Sequence, residues 1–265
     1  MSETQSGPGW WLASDGRWYP PAAPPPPGAS SPEQNFPHQP GGSTERMTVS
    51  NGLSGTLQGF MWAAGAISVL VALLSLGGLA AFNDFWDAPI DSFAEAQAGR
   101  DMDDADKAIN GAYILMLLVA IVVLVLIIVW SNKAHKASQS LARGTRTWSS
   151  GWTVGAWFIP VANWVIPKLV LNEIERIALA PRDETRLLAE WQGRPTIPIG
   201  WFWWLLFVPG WLIAGFGFNL FDALDGSAGI WRAGYIMLAV GALMLAASAV
   251  FGALYVRRIS KALND

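Results

Sequence analysis

The sequence predicts an all-α fold, a polytopic membrane helical bundle, and three observations predict it. Hydrophobic residues make up 52% of the 265-residue chain and charged residues only 14%, a balance unlike that of a soluble domain. Four runs, at 57–82, 111–130, 201–220 and 230–256, are long and apolar enough to cross a hydrocarbon core about 30 Å thick. Lys and Arg fall mostly where one threading of those runs gathers them on a single side. The first apolar run begins near Leu57, too deep in the chain to be the core of a cleavable leader, so it is expected to remain as a span. With no cysteine there is no disulfide framework, thiolate nucleophile or cysteine-bound metal to expect.

Residues 1–20 read as a tryptophan-rich, hairpin-like head and 21–52 as a disordered proline-rich tether, leaving 53–265 as the transmembrane domain. Ten of the seventeen prolines lie in the first forty residues, which favours extended, unpacked chain. In the head, Asp15-Gly16 between two aromatic runs signals a two-residue hairpin turn. Trp10, Trp11, Trp18 and Tyr19 are then candidate partner-binding residues, suited to a proline-rich peptide. The blander reading is an interface anchor or a marginal hairpin, since two strands alone are barely stable in water.

In the first span Ala64, Ser68 and Ala72 form a small-residue stripe that favours packing inside the bundle. The acidic stretch 83–110 reads as a solvated loop outside the cytoplasm; its Asp run lacks the glycine and closing glutamate of a calcium loop. The second span is apolar all round and is expected to meet lipid, with Trp130 at its interface. After it comes a basic loop that contains His135, expected to be solvated. Pro209-Gly210 is expected to kink the third span. In the fourth, Ala242, Ala246, Ser248, Ala249, Gly252 and Ala253 offer small contact surfaces.

The centre of the chain is harder to place. Residues 152–167 are apolar, too short for an ordinary span, and interrupted by Pro160, Asn163 and Pro167, so they read as a re-entrant or interfacial segment. Trp157, Pro160, Asn163 and Pro167 are the candidate structural or polar site there, with Asn163 expected to bond a broken backbone; alternatively Trp152, Trp157 and Trp164 simply anchor the segment at the interface. Residues 168–179 fit an amphipathic surface helix, with Val170, Leu171, Ile174, Ile177 and Ala178 on one face and Lys168, Asn172, Glu175 and Arg176 on the wet one. A short polar helix is expected from Pro181 to Gly193.

Charge chooses the threading. If 152–167 does not cross, fourteen of the seventeen Lys and Arg share the cytoplasmic side with both termini; if it crosses, seven do. The positive-inside rule favours four spans in a plasma membrane with cytoplasmic N- and C-termini.

The basic run ending in Trp148, followed by Gly151-Trp152, Val154-Gly155, Trp157-Phe158, Pro160, Asn163 and Pro167 and then by Glu173-Ile174, resembles the bacterial membrane proteins grouped as domain of unknown function 4328. The resemblance covers about 57–261. It implies a multi-span membrane domain and brings no catalytic residue or substrate. The head also resembles short tryptophan-rich modules that precede membrane segments in actinobacterial proteins, with Trp11 in place of the usual tyrosine and Ala13-Ser14 in place of Asp-Pro.

Three function classes follow. The first is a non-enzymatic membrane platform whose arm recruits a protein partner. The second is a transporter or channel component with a polar site at the re-entrant segment, disfavoured by spans that carry no ionisable residue in their middles. The third is an interfacial lipid-acting enzyme using Glu173, Glu175 and Arg176, for which the simpler reading is a helical i, i+3 pair on a wet surface. No cofactor or metal is expected, and no nucleic acid, because topology accounts for the basic residues. The lipid bilayer is the one partner every reading shares.

Overall fold

A computed structural model describes residues 11–12, 18–19, 47–141, 146–180, 191–222 and 227–265. The chain divides into two units, Met1–Glu45 and Arg46–Asp265.

In the first unit, β1 (Trp11–Leu12) and β2 (Trp18–Tyr19) pair antiparallel, Trp11 opposite Tyr19 and Leu12 opposite Trp18. A two-residue Asp15-Gly16 turn would put Leu12 opposite Tyr19. The observed register is shifted by one residue, so five residues connect the strands. Trp10 and residues 21–46 of the proline-rich tether lie outside the described residues; the last tether residues, 47–52, are not disordered as expected, since Val49 is buried and bonded to Asn264 and Asn51 begins α1.

The second unit is helical. It comprises α1 (Asn51–Asp87), α2 (Phe93–Leu141), the single turn α3 (Trp152–Gly155), α4 (Ile166–Ala178), α5 (Pro198–Asn219) and α6 (Ala228–Asn264). Of these, α1, α2, α5 and α6 are long and apolar enough to cross a membrane, which makes the chain a multi-pass membrane protein. α1 packs on both α2 and α6, and α5 packs on α6. The expected small residues make these contacts: Ser68 and Ala72 are buried, and a methyl group added at Gly65 would stand 3.2 Å from Ala249. Between α5 and α6 the approach is closer still. A Cβ at Gly241 would come within 2.4 Å of the Ala214 nitrogen, and one at Gly217 within 2.7 Å of the Leu238 nitrogen. The outer face of α2 presents Ile114, Leu118, Ile121 and Val125 outward, as a lipid-facing helix does.

The helices outrun the predicted spans. The acidic stretch is not a loop beyond Ser92: the Ser92 hydroxyl accepts the Glu95 N–H (3.0 Å) and starts α2 at Phe93. Its residue Asp106 accepts the Tyr235 hydroxyl (2.6 Å), and Asn83 accepts the Arg232 guanidinium (2.7 Å), so this end is tied across to α6. At the other end α2 continues through the basic run to Leu141, because Ala134, Ala137 and Ser138 give it a buried face. His135 is consequently buried on a helix rather than solvated in a loop. Helix α5 runs through Pro209 to Asn219. The helix expected at 181–193 lies largely outside the described residues.

At that same end, Ser260 Oγ accepts both the Trp130 indole N–H and the Ser54 hydroxyl, each at 2.9 Å, which joins α2, α1 and α6. Asn264 holds Val49 by a reciprocal pair of bonds (2.9 and 2.8 Å), so ordered structure begins just ahead of α1.

Candidate functional site: a buried polar cap and an apolar cavity

The segment 146–180 starts and finishes at the bundle end that holds Trp130 and Ser260. Its first turn is fixed to α2: Asn132 donates to Thr153 Oγ1 (2.9 Å), and the buried Thr153 donates to the Ser150 carbonyl (2.7 Å). Trp157 then turns inward and meets Trp204 of α5 edge to face, ring centroids 5.9 Å apart. Trp204 donates its indole N–H to the Trp164 carbonyl (2.6 Å), which pins the far side of the segment to the same helix.

Between these pins the chain makes a γ-turn. Ala162 N–H donates to the Pro160 carbonyl (2.7 Å) around Val161, whose φ of 65° and ψ of −47° are unfavourable for a β-branched residue. The apolar tip Phe158, Ile159, Val161, Trp164 and Val165 is exposed, Phe158 by 69%.

The structure therefore separates the four residues singled out in this segment. Trp157 is a packing residue, Pro160 is an exposed turn residue, and Pro167 is buried in the first turn of α4, where a missing N–H costs nothing. Asn163 bonds through its main chain, N–H to the Ile159 carbonyl (2.9 Å), while its buried Oδ1 has no partner among the described residues. Trp152 and Trp164 face outward, as interfacial anchors would.

The larger departure is α4. Its apolar face packs into the bundle as expected, but its polar face is covered rather than wet: Lys168 is 2% exposed and Glu175 1%, with Asn172 and Glu173 also buried. Lys168 Nζ donates to Asn172 Oδ1 (2.6 Å) and lies 4.9 Å from the ring centre of Trp201 and 5.5 Å from that of Tyr255. Gly200 makes room for it, since a Cβ there would stand 2.8 Å from Nζ. Two turns along, Glu175 accepts the Ile197 N–H, and the Tyr255 hydroxyl beside it donates to the Leu171 carbonyl (3.1 Å). Burial pushes the Lys168 ammonium down to about 8, opposed by the charge of Glu175. Burial likewise raises the Glu175 carboxyl, opposed by the Ile197 N–H and by Lys168.

Beside this lies a second buried group. Glu173 accepts the Thr147 N–H (3.0 Å) and stands 3.9 Å from Arg146, which donates to Ser138 (3.2 Å). Burial lowers the Arg146 guanidinium, opposed by Glu173. The expected surface pairing of Glu173 with Arg176 is thus replaced by one across to Arg146, while Arg176 donates to the Gln192 carbonyl (3.2 Å). These charges are spent on locking the 146–180 cap to the bundle.

Below the cap is a cavity of about 430 Å³, lined by all four spanning helices and closed at the cap end by Trp157. Its lining is apolar apart from Ser68 and Ser248.

Lys168, Asn172, Glu175 and Tyr255 were not assembled from the sequence. Their signal was the spacing 168, 172, 175, a single helical stripe that reads equally as a wet face or as a covered one.

The profile of a family described as "Domain of unknown function (DUF4328)" matches residues 94–261, from α2 through α6. Neither a curated protein nor a solved structure matches the chain.

Proposed function

The chain belongs to the DUF4328 family, and from that premise we propose that it is a non-enzymatic membrane platform of the plasma membrane, with both termini in the cytoplasm and an N-terminal arm that recruits a protein partner. The family description brings no activity with it, so the reading rests on geometry. One observation carries it: the ionisable side chains Lys168, Glu173 and Glu175 are covered and engaged inside the cap, which leaves exposed apolar and aromatic groups at its tip. Groups held this way stiffen a scaffold; an enzyme or a coupled transporter needs such groups open to substrate or water. The apolar lining of the cavity supports the same reading over an ion-conducting one. The cytoplasmic assignment follows from the positive-inside rule, because the cap end bears Lys133, Lys136, Arg257, Arg258 and Lys261 while the opposite end bears Asp101, Asp103 and Asp104.

The test is a cross-linking pull-down from native membranes with the full chain and with a chain lacking residues 1–20. The platform reading expects at least one partner captured by the full chain and lost with the head. If the shortened chain keeps every partner, the arm has no recruiting role. If proteoliposomes of the full chain pass ions or small solutes, the platform gives way to a channel.

A further inference from the structure

We propose that the cavity beneath the cap is a binding site for one acyl chain of an anionic phospholipid from the cytoplasmic leaflet.

α1 packs on α2 and α6, and α6 on α5, whereas α2 and α5 share no comparable packing, which leaves the fourth side of the bundle open. The wall residues Leu117 and Ile121 are exposed there, so the cavity opens sideways to whatever surrounds the bundle. Around membrane-spanning helices that medium is hydrocarbon.

On α2 the wall runs from Met116 to Ile127 and on α5 from Trp203 to Trp211, or roughly 12–16 Å at about 1.5 Å per residue. This is about half of a hydrocarbon core roughly 30 Å thick, the depth of one leaflet. Measured along α2 (Phe93–Leu141) and α5 (Pro198–Asn219), both stretches are centred on the Trp130 and cap side of the helix midpoint. Tyr113 and Phe218 stack at 4.0 Å beyond the far end of the cavity and close the gap between α2 and α5 there. The slot therefore begins under Trp157 and stops near mid-membrane.

At about 430 Å³ the cavity falls in the range of about 300–1,000 Å³ typical of small-molecule sites. Its two hydroxyls give water too few partners: the Ser248 hydroxyl is already committed to the Trp203 carbonyl (3.2 Å), and Ser68 is buried. An apolar slot open to lipid and unfit for water is filled by chain.

The closed end of the slot lies beneath the cap, on the side of the bundle where exposed Lys133, Lys136, Arg257, Arg258 and Lys261 extend α2 and α6 beyond it, so a chain entering sideways from that leaflet brings its headgroup toward bases, which favours an anionic headgroup over a zwitterionic one. The choice of leaflet rests on the proposed topology; the site itself does not depend on the N-terminal arm.

The test is native mass spectrometry of the purified full chain given phosphatidylglycerol or phosphatidylcholine of matched chain length. One phosphatidylglycerol per protein is expected to survive, favoured about five- to thirtyfold over phosphatidylcholine, the order that one or two surface bases at about 1 kcal/mol each produce. Ala120→Trp, which fills the slot from α2, is expected to cut the retained fraction about tenfold, whereas Leu118→Trp, on the outward face of the same helix, leaves it unchanged. Should Ala120→Trp not fold, Ala64→Leu narrows the slot from α1 and is judged by the same criterion. No retained lipid, equal retention of the two lipids, or full retention by a folded slot-filling variant would each overturn the proposal. So would a lipid-free dimer that Ala120→Trp returns to monomer, which would give the slot to a second copy.

Discussion

Lys168→Met tests whether the polar cap is as deeply buried as the geometry has it. An unfolded lysine titrates near 10.5, and Lys168 titrates near 8 because burial disfavours its charged form. Below about pH 8 the side chain is charged in both states, and above about 10.5 it is neutral in both. Between these limits the unfolded chain holds the extra proton, so stability rises with pH. The fall from 10.5 to about 8 sets the rise from this one group at up to roughly 3 kcal/mol. Methionine is close in shape, cannot titrate, and removes that contribution. The assay is equilibrium unfolding in mixed micelles, followed by far-UV circular dichroism between about pH 7.5 and 10. Wild type should gain stability across this range relative to Lys168→Met, which also loses the bond to Asn172 at every pH. If the two proteins run parallel, Lys168 is in contact with water and the buried cap is wrong.

Other changes probe the rest of the bundle. Ser260→Ala strands the buried Trp130 indole N–H and should cost about 1–3 kcal/mol in the same unfolding assay; adding Trp130→Phe should not cost that orphaned-donor penalty a second time. Gly241→Val drives side-chain atoms into the Ala214 backbone and should destabilise by about 1–3 kcal/mol or more, whereas Gly77→Ala, with nothing within 4 Å, should be near neutral. Val161→Gly relieves the left-handed γ-turn and should raise the unfolding midpoint, by about 1 kcal/mol of stability, so a fall would show that the turn is not as described.

The spans were legible because twenty-residue apolar runs admit few other structures, and small residues such as Ala72 and Ala249 marked contact faces by size alone, without telling that α1 would meet α6 or that Gly65 would face Ala249. The helix ends were not. A hydropathy pattern stops where charge begins, whereas α2 runs on through Asp101–Asp106 and through Lys133–Lys136, sustained by a capping serine at one end and a stripe of alanines at the other. Wetness was misjudged at α4 for a related reason. Periodicity tells which residues share a face and not what covers it, and the cover here comes from Ile197, 22 residues after the Glu175 it meets, from Trp201 over Lys168, and from Tyr255 of α6. The central segment could be bounded as too short to span. Its path, pinned by Trp157 and Trp164 to the same Trp204, depended on contacts that no local pattern contains.

The central claim is that the chain crosses four times and that the cap returns to the side it left. The cysteine-free sequence permits single-cysteine labelling with a membrane-impermeant maleimide at Asp103, Ser150, Gly193 and Lys261. The account predicts that Ser150, Gly193 and Lys261 label only from the cytoplasmic side and Asp103 only from the other. Labelling of Ser150 and Gly193 from opposite sides would contradict it.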